Sequence, residues 1–249
     1  MSMPAPIIRY VDSQIVVVDK PPDLTTMRHL EEVAEFGRRA RRYLPPTLAD
    51  LLPGLLPRSR SGKPRPLFAV HRLDKDTSGL VVFARTREAE SHLGWQFRGH
   101  EVERCYLAIV RGRPREGRVE SFLVPDRGDA RRGSGSVPGQ GKRAVTHVKI
   151  VEELGDYTLV ECRLETGRTH QVRIHLGEAG TPLCGERIYD RPLHGRPLPD
   201  DSRATRLALH AATLGFKHPA TGKRMAWRSA LPKDLKELLA RLRKRCLGH

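Results

Sequence analysis

Short apolar runs set the frame of this chain. Ile15-Val16-Val17-Val18 is a continuous β-branched run ended by Lys20-Pro21-Pro22, the pattern of a buried strand stopped by prolines. Leu80 to Ala84 predicts a second buried strand and Tyr106 to Val110 a third. Ala144 to Val151 and Tyr157 to Leu164 predict two more, with Gly155-Asp156 as a hairpin turn between them. Helical spacing appears in three places. Thr86 caps the first, with Glu88 and Glu90 near its start and Ala89, Leu93 and Phe97 on one face. The second runs from Thr169 to Ala179, with Val172, Leu176 and Ala179 as its apolar stripe and Gly180 and Pro182 as its stop. The third is the amphipathic C-terminus. Leu235, Leu238, Leu239 and Leu242 face inward there, and Lys233, Lys236, Arg241, Arg243, Lys244 and Arg245 face water. Strands with interspersed helices and tight hairpins predict an α+β fold on a mixed, largely antiparallel central sheet with flanking helices.

Two stretches depart from this pattern. After position 37, residues 28–66 set eight bases (Arg38, Arg39, Arg41, Arg42, Arg58, Arg60, Lys63, Arg65) against one acid, Asp50, and prolines crowd the later half. The expectation is a short basic helix followed by an exposed, mobile loop. Residues 126–142, rich in Gly, Ser and Arg, read as a second mobile segment.

Charge changes the picture more than size does. The 249 residues carry 45 Lys+Arg against 29 Asp+Glu, a net +16. Such a balance speaks of partners rather than of fold, and Arg is suited to phosphate. Aromatic residues are only 5%, so a folded or duplex-containing RNA bound through its backbone fits better than an open single strand. The four cysteines form no C-x-x-C pair, no apolar stretch is long enough for a membrane helix, and no secretory signal is expected, since Met1 to Pro6 is not a basic region followed by an apolar one. A cytoplasmic monomer without a bound metal is expected.

The chemistry concentrates in His71-Arg72-Leu73-Asp74-Lys75-Asp76-Thr77-Ser78-Gly79-Leu80, a polar turn just before a buried strand. A calcium loop starting at Asp74 would need an acid at its twelfth position, where Arg85 stands. Phosphoryl transfer on magnesium would use Asp74-x-Asp76, but the downstream acidic pair Asp200-Asp201 sits in a proline-flanked loop and is not a convincing metal site. A metal-free aspartate paired with an arginine suits the sequence better, since an ion pair keeps a carboxylate charged. Gly167-Arg168-Thr169-His170-Gln171-Val172-Arg173 supplies arginines of that type. His170 and His175, five apart, do not share one helical face as two metal ligands would.

His71-Arg72-Leu73-Asp74 with Thr77-Ser78-Gly79-Leu80 resembles the signature of the RluA-type pseudouridine synthases. The segment 167–173 resembles the later motif of that family, and Lys20-Pro21, Arg104-Cys105-Tyr106 and Leu209-His210-Ala211 through His218-Pro219 match in family order. The resemblance covers residues 7–232 as one catalytic domain, with 28–66 inserted in it and 233–249 a basic helix packed on it. It implies a central active-site cleft and isomerisation of uridine to pseudouridine in structured ribosomal or transfer RNA, without cofactor or metal. By resemblance Asp74 is the catalytic aspartate, acting on the sugar as nucleophile or base; Arg173 is its basic partner; and Tyr106 packs on the target base. Arg72 fills the space of an extruded nucleotide, and Thr77, Arg168, His170 and Gln171 contact substrate. Two departures stand out. The N-terminal S4-type module of some members is expected to be absent, and Glu186 after Gly185 replaces the family's usual Asp, which weakens any role for that carboxylate. The alternative function is an RNA-binding protein that keeps the fold without turnover.

Overall fold

The computed structural model describes residues 5–28, 30–39, 43–57, 66–128, 131–135 and 140–247. The chain forms two compact units, Met1–Val102 with Thr213–Ser229, and Glu103–Ala212 with Ala230–His249.

In the first unit, β1 (Ile7–Val11) pairs with β2 (Ile15–Lys20) and β2 with β4 (Ser78–Ala84), all antiparallel. The short β3 (Phe68–Ala69) also pairs with β4. The strand β10 (Leu209–Lys217) contributes residues 213–217 to a hairpin with β11 (Arg224–Arg228). The apolar runs are continuous because β2 and β4 are covered on both faces: residues 15–18 and 78–84 are all buried. Ile15, Val17, Leu80, Val82, Leu214 and Phe216 pack with Ala89 and Leu93 of α3 (Arg87–Arg98). Each such fully buried Val, Leu or Ile contributes roughly 1.5–3 kcal/mol. Thr86 caps α3 as its sequence predicts, accepting from the Ala89 amide at 3.1 Å.

The segment after β2 differs from expectation. It holds α1 (Leu30–Phe36), a 3-10 turn (Gly37–Arg39) and a further helix, α2 (Leu48–Leu55), where the prolines predict a loop. Thr47 and Asp50 form a reciprocal capping box, and Leu48 and Leu52 are fully buried, so capping and packing outweigh Pro53 inside the helix. Arg41, Arg42, Arg58, Arg60, Lys63 and Arg65 lie outside the described residues, as do 129, 130 and 136–139 of the second segment expected to be mobile.

The second unit is an antiparallel sheet in the order β5 (Glu103–Arg111), β9 (Tyr157–Leu164), β8 (Lys142–Leu154), β6 (Gly117–Val124), β7 (Gly133–Ser134). The β8–β9 turn falls at Gly155-Asp156, with Gly155 at φ 68°. One face carries Ala108, Val110, Val148, Val160 and Cys162 against α4 (Gln171–Glu178). The opposite side carries Ile109, Leu154 and Leu159 against the four leucines of α5 (Lys233–Leu247). Helix α4 is not the striped surface helix its spacing suggests. Every residue from Gln171 to Gly177 is buried: Val172 and Leu176 lie in one cluster, and Ile174 joins Leu123, Ala144 and Tyr189 in another. The expected α+β class on a largely antiparallel sheet with flanking helices is the one observed.

Candidate functional site

The polar turn lies between β3 and β4, and it is held by its main chain. Lys20 is buried, and its ammonium donates to the carbonyls of Pro21 (2.9 Å), Leu24 (2.7 Å) and Lys75 (3.0 Å). That is one carbonyl per N–H, which offsets the desolvation of the charge. Thr26 is buried too; its hydroxyl donates to the Leu73 carbonyl at 2.8 Å and accepts from the Leu73 amide at 3.1 Å. The Thr77 amide closes the turn on the Asp74 carbonyl at 3.2 Å. His71 stacks on Phe97 at 4.6 Å, and its Nε2 accepts the Val82 amide at 3.1 Å, so this histidine serves packing. Asp74 is half-buried and Arg72 exposed. Thr77, by resemblance a substrate contact, is buried in this turn. It is only 2% exposed, and its hydroxyl has no hydrogen-bond partner among the described residues.

The second unit carries the other expected residues. Tyr106 is half-buried and packs on the sheet face that α4 covers. Arg104, two residues earlier on β5, is buried and donates to the Glu165 carbonyl at 3.1 Å. Burial lowers its pKa from the ordinary value; Tyr106 opposes that shift and the neighbouring charge of Arg168 adds to it. Arg173 binds Glu186 in a fork: Nε to Oε2 at 2.7 Å and Nη2 to Oε1 at 2.8 Å. Glu186 also accepts the backbone amides of Arg187 (3.0 Å), Ile188 (2.9 Å) and Tyr189 (3.3 Å). Burial alone would raise this carboxyl, but the Arg173 fork and the amides hold it below the usual carboxylate range. The Arg173 guanidinium also lies 5.2 Å from the Tyr189 ring centroid, and the Tyr189 hydroxyl meets His170 Nδ1 at 2.8 Å. Glu186, whose replacement of the family's usual Asp was expected to weaken any role, thus pairs with Arg173 and holds its guanidinium. Gly185, just before it, stands at φ 78°.

His170 stands at φ 59° just before α4, which begins at Gln171 rather than Thr169. Gln171 is buried and fully engaged. Its oxygen accepts from the Thr166 hydroxyl (2.8 Å) and the Arg168 amide (3.0 Å); its nitrogen donates to the Val145 carbonyl (2.9 Å) and Thr146 Oγ1 (3.0 Å). Through these four bonds its amide positions the 166–168 turn. Arg168 is half-buried, with Nε on the Arg143 carbonyl at 2.9 Å. His175 lies inside the unit between Ser121 Oγ and Thr146 Oγ1, and burial pushes its pKa down to about 4. Among the described residues no group of three or more His, Cys, Asp or Glu is placed to hold a metal ion, and no helix is long and apolar enough to cross a membrane.

Residues 14–178 match the family model described as RNA pseudouridylate synthase. The chain is 38% identical over 243 residues to the ribosomal large subunit pseudouridine synthase D of Neisseria meningitidis serogroup A, covering 95% of this chain and 61% of that one. It is 43% identical over 175 residues to the protein of the same name from Zymomonas mobilis, covering 70% and 55%. The chain thus spans less than two thirds of the length of these relatives. The solved structure of human RNA pseudouridylate synthase domain containing 4 has the same fold, with a TM-score of 0.68 at 24% identity over 95% of this chain and 93% of that one.

Proposed function

The chain belongs to the RNA pseudouridylate synthase family, and we propose that it isomerises a specific uridine of structured RNA to pseudouridine. Large-subunit ribosomal RNA is the first candidate substrate, because the relatives from Neisseria and Zymomonas carry that substrate in their names. The observation that carries this reading is the family match over residues 14–178, which contains Asp74, Tyr106 and Arg173. In the proposed reaction the N1–C1′ bond breaks, the uracil turns, and C5 bonds to C1′. The proton lost from C5 is balanced by one gained at N1, so no redox partner or cofactor is needed. Asp74 supplies the carboxylate, as nucleophile at the sugar or as base. The Arg173 guanidinium supplies positive charge, aimed by Glu186. Tyr106 offers a ring to stack on uracil and a hydroxyl for the proton step at C5. A uridine inside folded RNA must first leave its stack, at about a few kcal/mol, and the flat guanidinium of exposed Arg72 suits the vacated space.

Asp74→Asn tests this. The substitution removes a charge at nearly constant size, so fold and RNA binding should persist. Pseudouridine formation should drop to background in a single-turnover assay with enzyme in excess, while Asp76→Asn stays within a modest factor of wild type. Substantial conversion by Asp74→Asn would overturn the mechanism. Binding without conversion by the wild-type protein would favour a non-catalytic RNA binder.

A further inference from the structure

A cavity of about 410 Å3 opens in the second unit between the β6–β8 hairpin and the turn before α4. Its size falls within the ~300–1,000 Å3 of pockets that hold small molecules. One wall is apolar, made by Leu123, Val124 and Pro125. Arg132, Lys142 and Arg168 supply three positive charges, and among the described residues no acid lines it. Arg132 and Lys142 are exposed, and among the described residues their side chains have no hydrogen-bond or ion-pair partner. That sets them apart from many cations of this unit, such as Arg143, Arg243 and Arg245, which pair with Glu120, Glu152 and Asp201. Among the described residues no carboxylate neutralises the positive charge at this mouth.

The cavity is also shaped and braced. A Cβ at Gly141, which stands at φ 95°, would come within 2.7 Å of the Leu123 carbonyl, so the hairpin closes against its own strand only with glycine there. On the other strand, Glu178 at the end of α4 clamps the hairpin. It accepts from Arg127 at 2.9 Å, from the Ser134 amide at 3.0 Å and from the Ser134 hydroxyl at 2.6 Å. Arg132 lies between those two anchors in the chain and at the rim of the cavity.

We infer that this cavity is a binding subsite for one nucleotide of the RNA chain outside the reacting uridine, with its phosphate on Arg132 and Lys142 and its sugar or base on the apolar wall. The inference rests on the proposed action on RNA. A phosphate suits two unpaired cations beside Arg168, and the apolar wall suits the flat or ring-shaped remainder of a nucleotide better than a bare anion.

The test compares two double variants that each remove two exposed charges from the second unit. Arg132→Gln with Lys142→Gln strips the cavity; Lys233→Gln with Lys236→Gln strips α5 and serves as control. Both are measured for equilibrium binding of a large-subunit ribosomal RNA fragment across a salt series, and for single-turnover conversion of that fragment. The cavity variant should bind about tenfold more weakly and flatten the log affinity against log salt slope by about one, the mark of a lost phosphate contact. Its maximal conversion rate at saturating enzyme should stay within twofold of wild type, since Arg132 and Lys142 are proposed to act on affinity alone. The control should shift affinity by less than twofold. Equal affinities and slopes in the two double variants would overturn the subsite. Absence of conversion by the wild-type protein would instead overturn the enzymatic reading, and the binding comparison would still decide the cavity.

Discussion

The two units hold their expected site residues by opposite means. In the first, the Asp74 turn is fixed through its main chain by an ammonium and a hydroxyl, Lys20 on the Lys75 carbonyl and Thr26 on Leu73. In the second, Arg173 is fixed through its side chain by a buried carboxylate that three backbone amides hold in turn. The difference follows from geometry. A turn exposes carbonyls and amides that others can hold, whereas Arg173, in the first turn of α4, is aimed through its guanidinium by the Glu186 fork.

The largest expected effect separates aiming from chemistry in the second unit. Arg173→Met leaves Glu186 buried and unpaired, which should cost about 3–5 kcal/mol of stability. Adding Glu186→Gln should restore most of that loss, read by denaturant unfolding. Turnover should remain down by roughly 100-fold or more in both variants, the scale of losing one charge aimed at a transition state. Wild-type turnover in the double variant would reduce the fork to a structural pair.

The next contrast is in pH. Burial holds His175 at about 4, against about 6.5 in the unfolded chain. Between these values the unfolded state binds the proton and the native state does not, so stability falls as pH drops from 6.5 to 4. The effect should be about 3 kcal/mol, and His175→Gln should lose that share of the pH dependence. Equal slopes for the variant and the wild type over that range would mean that the imidazole beneath α4 is open to water.

The smallest effect should come from the first unit. Thr26→Val leaves the buried Leu73 amide and carbonyl without their partner, at about 1–3 kcal/mol. Turnover should fall with RNA affinity unchanged, because the turn that carries Asp74 loosens while the basic surface remains. A loss of stability with full turnover would show that Lys20 alone fixes the turn.

Much of this was legible in the residues. The β-branched runs, the Gly155-Asp156 hairpin, the Thr86 cap and the leucine face of α5 all appear where periodicity and turn chemistry place them. Helix α2 was missed because its prolines read as breakers, although Thr47-x-x-Asp50 carried a capping signal. The burial of Thr77 and Gln171, substrate contacts by resemblance, was not legible in their motifs, because burial depends on what packs over a turn.

Sequence by itself determined the family, the strand and helix segments and the residues capable of the chemistry, because hydrophobic period, turn residues and motif spacing are local properties of the chain. Only tertiary structure decided which groups hold them. Lys20 meets a carbonyl 55 residues away, Thr26 a residue 47 away, and Arg173 an acid 13 away across a turn. Such partners are chosen by burial: a charge or amide taken out of water must find a mate among whatever groups packing brings within about 3 Å, and no local pattern encodes that neighbour.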